Sequence, residues 1–97
     1  MNIYLLEQNI HNGYDTYDSV VVCANSEEEA RKIHPSSFAT HVTGEKWMGT
    51  FIKGGEYELC DNSWVQFDQI NEIKVTLIGI ANETQQIGVI CASFNAG

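Results

Sequence analysis

One stretch of this chain, Asn25-Ser26-Glu27-Glu28-Glu29-Ala30-Arg31-Lys32-Ile33-His34-Pro35, carries a full set of helix start and stop signals. Ser26 with Glu29 three residues on reads as a capping box, in which side chains satisfy the orphan N–H groups of a helix start. Three glutamates fill the first turn, where the helix dipole favours anions. Arg31, Lys32 and His34 fall in the last turn, where it favours cations. Pro35 cannot continue a helix. The pattern predicts a helix over 27–34. Because so short a helix cannot hold itself, Ala30 and Ile33 must pack on a sheet.

The rest of the chain is written in strand and turn chemistry. Residues 3–6, Ile-Tyr-Leu-Leu, form a compact apolar run suited to a strand buried on both faces. Residues 19–24 are rich in β-branched side chains and read as a second strand. The loop between them, 8–18, contains Asn12-Gly13, a strong turn signal because both residues tolerate positive φ. Residues 35–47 read as loop with room for a short strand. Two runs, 49–53 and 56–60, flank Gly54-Gly55 as a hairpin, with Glu56 and Glu58 on a wet face and Tyr57 and Leu59 on a buried one. Residues 64–67 read as another short strand. Residues 73–81 and 87–94 are strong strands whose short connection, 82–86, predicts a hairpin. The expected fold is α+β: a single antiparallel sheet of about five or six strands with one short helix on one face.

Length makes 1–97 one domain, since 97 residues are too few for two cores. Hydrophobic residues make up 43% of the chain and charged ones 19%, so the signature of disorder is absent. The formal net charge of −8 repels phosphate backbones and anionic membranes. Direct nucleic-acid binding and membrane association are therefore not expected. A positively charged protein surface would attract such a chain and speed encounter. Acidity also keeps a small protein soluble. Met1 is followed by neither a basic segment nor an apolar one of signal-peptide type, which places the expected location in the cytoplasm. Cys23, Cys60 and Cys91 are odd in number and widely spaced, which argues against both a disulfide framework and a zinc site. Cys23 and Cys91 lie inside apolar strands, so both are expected to be buried and chemically quiet.

No nucleophile elbow, phosphate-binding loop, dinucleotide fingerprint or zincin motif occurs, so an enzyme is not expected. His11, Asp15 and Asp18 share one loop and His34 and His41 flank another, but none has a metal-ligand spacing. No cofactor and no metal are expected. The most unusual segment is 9–18, which interleaves Tyr14 and Tyr17 with Asp15 and Asp18. Tyrosine offers a large, rigid contact area with a polar tip, and aspartate adds charge-assisted bonds to Arg or Lys. Tyr17 could instead fold back on the core. Trp47 and Trp64 are the remaining large anchors, and Glu56 and Glu58 extend the acidic character. The expected partner-binding set is Tyr14, Asp15, Tyr17, Asp18, Trp47, Glu56, Glu58 and Trp64. The oligomeric state stays open, a homodimer included.

The run Tyr14-Asp15-Thr16-Tyr17-Asp18-Ser19-Val20-Val21-Val22-Cys23-Ala24, then Ser26 to Arg31, His34-Pro35 and the ending Ala92-Ser93-Phe94-Asn95-Ala96-Gly97, resembles small accessory proteins encoded by phages and prophages. The resemblance covers about a third of the chain. It implies an anti-defence role of the anti-CRISPR type, in which a host protein with a basic surface is blocked by carboxylates standing in for nucleic acid. It assigns no activity to any residue. Two other classes stay open: a protein that sequesters a nucleotide signal, disfavoured by few cations, and a virion or assembly component.

Overall fold

Alternate residues of the first strand divide between two surfaces: Tyr4 and Leu6 are buried, Ile3 and Leu5 half-buried. A period-two pattern of this kind marks a strand with one face on a core. The computed structural model describes residues 1–60 and 62–96. In chain order its elements are β1 (Asn2–Glu7), β2 (Thr16–Ala24), α1 (Glu27–Arg31), β3 (His41–Val42), β4 (Trp47–Thr50), β5 (Glu56–Glu58), a 3-10 helix (Phe67–Glu72), β6 (Lys74–Ile80) and β7 (Gly88–Asn95). No helix among the described residues is long and apolar enough to cross a membrane.

The chain is α+β and mostly strand, but the expected single sheet is corrected to two. One sheet has four strands in the order β6-β1-β2-β7 and the other has three in the order β3-β4-β5. The strands between α1 and the 3-10 helix are only two to four residues long. They pair with one another locally and leave both edges of the β1–β2 hairpin to later strands. The expected β6–β7 hairpin is also corrected. The two strands occupy opposite edges, with Val75 across from Leu6 on one side and Ala92 across from Val20 on the other. Each thereby pairs with an edge of the central hairpin that a direct β6–β7 pairing would leave open. Residues 81–87 cross the end of the sheet, where the Ala81 N–H donates to the Met1 carbonyl at 2.9 Å.

The helix starts as expected. Ser26 Oγ accepts from the Glu29 N–H at 3.1 Å, and Glu29 Oε1 accepts from the Asn25 N–H at 2.8 Å. It stops at Arg31 rather than 34, with the Lys32 N–H donating to the Glu29 carbonyl and the Ile33 N–H to the Ala30 carbonyl, at 3.1 Å each. His34 is consequently no helix-end cation. It is buried, its Nδ1 accepts from the Ser36 N–H at 2.9 Å, and its ring stands edge-on to Trp47 with centroids 5.0 Å apart. Arg31 does more than complement the dipole, because its Nη1 donates to the carbonyls of Ile70 and Ile73 at 2.7 Å each. These charge-assisted bonds lock the helix to the end of the 3-10 segment.

One core joins the layers. Tyr4, Leu6, Val20, Val22 and Ala24 of the large sheet meet Ala30, Trp47, Trp64, Val65 and Ile73. Residues 64–67, expected as a strand, are instead a buried segment that enters the 3-10 helix, whose start is held by Gln69 Oε1 accepting from the Gln66 N–H. The β4–β5 hairpin forms, but its connection is residues 51–55 rather than two residues, with Gly54 and Gly55 at φ +96° and +84°. Gly49 is required for a different reason: a Cβ there would overlap the Tyr57 ring lying across it.

Cys23 is buried, as expected, but Cys91 is exposed, which corrects that expectation. The cause is topology. An apolar strand sequence around Cys91 ends up at a sheet edge with no second layer over it.

Candidate functional site

The segment 9–18, expected as loop throughout, is loop only to Asp15 and then enters β2; it is organised by one buried side chain, Gln8, which is only 8% exposed. Its Oε1 accepts from the N–H groups of Ile10 and His11 at 2.9 Å each. Its Nε2 donates to the carbonyls of His11 and Tyr17 at 2.7 Å each. An amide is the only uncharged side chain that supplies two donors and two acceptor positions from one end, and all four are used here. The Gly13 carbonyl is fixed from two sides, by Thr16 Oγ1 and Asn95 Nδ2, each at 2.8 Å. Further anchors are the Asp15 N–H, which donates to the Asn95 carbonyl, and the Tyr17 N–H, which donates to the Ser63 carbonyl. Asp15 holds φ +58°, a left-handed conformation that Asp tolerates better than most residues.

On this frame Tyr14 projects into solvent with 78% of its surface exposed. Asp15 is exposed next to it in the chain, and Asp18 is exposed on β2. Tyr17 takes the other course foreseen for it: it is half-buried, with its ring 4.8 Å from that of Phe94. The base of the loop opens onto a shallow cleft where Asp18 is joined by Glu7, Glu72 and Lys74. Glu7 and Lys74 face each other across the β1–β6 ladder. The acidic surface thus gathers residues from β1, β2 and the 3-10 helix, two of which, Glu7 and Glu72, carry no local signal in the sequence.

The other expected residues lie elsewhere. Trp47 and Trp64 are 4% and 0% exposed, so the structure corrects their placement at a surface. Both fill the space between the layers, and Trp47 Nε1 donates to the Val65 carbonyl at 3.0 Å. Glu56 and Glu58 are exposed on β5, in the other sheet. Glu56 is engaged within the chain: its Oε2 lies 2.6 Å from His41 Nε2, His41 Nδ1 lies 2.9 Å from Thr40 Oγ1, and that hydroxyl lies 2.8 Å from Thr50 Oγ1. The network stitches the small sheet across its exposed face. At the tip of the β4–β5 hairpin, Phe51 and Ile52 stand open beside Phe38, an apolar patch the strand reading passed over. Among the described residues no three His, Cys, Asp or Glu side chains gather in a metal-binding group.

Comparison with protein-family models, with curated proteins and with solved structures finds no match to this chain.

Proposed function

We propose that this chain is a non-enzymatic binding module of phage type that docks its 9–18 loop on a basic surface of a host protein and inhibits it. A groove that normally holds nucleic acid, as in a CRISPR effector, is the natural target. The observation that carries the reading is Tyr14, a large aromatic side chain 78% exposed on a loop already fixed by Gln8. A loop ordered before binding loses little entropy on docking. Tyrosine on such a loop is the usual anchor of a paratope. Asp15 adjoins it in the chain, and Asp18, Glu7 and Glu72 line the cleft at the loop's base, carboxylates that a basic partner would attract.

A pull-down from host lysate identifies the partner, and two substitutions then test the surface. Tyr14→Ala should weaken binding by about 1–2 kcal/mol, roughly tenfold, as an exposed anchor does. The melting temperature should not move, because the ring contributes little to the core. Asp15→Asn keeps the left-handed preference and removes only charge, so it should slow association and reduce the salt dependence of the on-rate. A partner whose affinity ignores both Tyr14→Ala and ionic strength would refute the reading.

A further inference from the structure

Strand β7 presents a contradiction between composition and placement. Its sequence, Gly-Val-Ile-Cys-Ala-Ser-Phe-Asn, has no charge, no proline and no polar alternation. A run of that kind belongs inside a protein. Yet all of its residues after Gly88 are exposed, and the strand is held mainly through its pairing with β2. Val89, Ile90, Phe94 and the preceding Ile87 are 41–50% exposed. Long, uncharged, apolar edges are what natural proteins cover or blunt. The opposite edge, β6, at least opens on Lys74.

We propose that β7 is a homodimer interface, in which the edge strands of two copies pair antiparallel about a two-fold axis near Ala92 and fuse their sheets into one of eight strands. Three observations select a second copy as the occupant. Charge is the first: in a chain of net charge −8, this edge carries no carboxylate, so two copies can meet here without setting like charges face to face. Geometry is the second. The Asn95 carbonyl faces β2, where it accepts from the Asp15 N–H. Backbone alternation then turns the N–H and C=O groups of Phe94 and Ala92 to the open side. An antiparallel pair centred on Ala92 sets the Ala92 groups against their own copy and Phe94 against Ile90 of the other copy, as a closed isologous contact requires. The small residues Cys91, Ala92 and Ser93 sit at the axis, where the backbones must approach. Area is the third. Ile87, Val89, Ile90 and Phe94 leave 41–50% of their surfaces open along this one edge, apolar area that a second copy brings in equal measure.

The test is sedimentation between roughly 1 μM and 1 mM, a range that covers weak association. The wild type should pass from an apparent mass of 10.8 kDa toward twice that value. Ile90→Lys places a charge on the edge, and Ala92→Pro removes an N–H that serves no bond within the chain. Each should weaken dimerisation at least about tenfold while circular dichroism stays that of the wild type. A wild type that remains monomeric throughout overturns the proposal and leaves the edge to a strand from another protein. A dimer that survives both substitutions in folded protein overturns it as well, and directs attention to the Phe51–Ile52 tip. Amide exchange of the wild type decides the matter even if both variants misfold. The Ala92 and Phe94 amides should exchange more slowly as concentration rises, and fast exchange at every concentration overturns the proposal.

Discussion

Trp64→Ala should destabilise the domain by about 3–5 kcal/mol. That is a large share of the about 5–15 kcal/mol available to a domain of this size. The indole is fully buried, is the largest fully enclosed side chain, and sits in the cluster that joins the large sheet to the helix and to Val65 and Ile73. The two conservative replacements are more informative. Trp47→Phe removes the donor to the Val65 carbonyl and strands a buried acceptor. Among the described residues Trp64 Nε1 is itself buried without a hydrogen-bond partner, so Trp64→Phe removes an unsatisfied donor while losing a similar volume. Trp64→Phe is therefore expected to cost less than Trp47→Phe by about 1–3 kcal/mol, the desolvation penalty of one unpaired polar group. Denaturant titration followed by circular dichroism measures both. Equal losses would mean that the Trp64 N–H is satisfied in solution, for instance by a buried water.

Gln8→Ala should have the second largest effect. Four hydrogen bonds end on this one side chain, and at about 0.5–1 kcal/mol net for each, the lower part of the usual range for part-buried bonds, their loss should cost about 2–4 kcal/mol. The damage should be concentrated in the loop. The Ile10 and His11 amides lose their acceptor and should exchange much faster, while amides in the β1–β2 ladder stay protected. Gln8→Glu separates hydrogen bonding from bulk, since it keeps the shape but turns the Nε2 donor into an anionic oxygen facing the His11 and Tyr17 carbonyls. It should be at least as harmful as alanine. If Gln8→Glu were neutral in both thermal stability and exchange, the loop would owe its order to some other contact.

Signals that act within a few residues were legible in the sequence. Ser26 and Glu29 mark the helix start because a capping box is complete within four positions. Gly54 and Gly55 mark a turn because the positive φ they adopt is disfavoured for residues with a Cβ. What failed depended on distant parts of the chain. The stretch 73–94 reads as a hairpin because its connection is short, but strand pairing is settled by whichever edges are open, and those belong to residues 2–24. Cys91 was misplaced for the same reason, since the run around it records a need for burial and not whether the burial happens within one chain. The tryptophans read as surface anchors because no local pattern tells which way their rings point, yet Trp47 opens β4 and Trp64 leads into the 3-10 helix, and the space between the two layers is where such rings fit. Of the candidate surface, Tyr14, Asp15 and Asp18 were visible as an unusual composition. Gln8 was not, because the backbone groups it satisfies converge only when β2 returns alongside β1.

The strand order also bears on synthesis. The two central strands of the large sheet are made first and the two outer strands last, one for each flank. While the chain emerges from a ribosome, the β1–β2 hairpin can form early, but an isolated two-stranded hairpin is marginal in water. Trp64 and Ile73 arrive later, and the second flank closes only when residue 95 is free to pair with Thr16. The nascent chain therefore exposes the apolar face of its central hairpin until Trp64, Val65 and Ile73 have emerged to cover it. Through that interval the protein depends on its acidity, and on whatever chaperones are at hand, to stay out of aggregates.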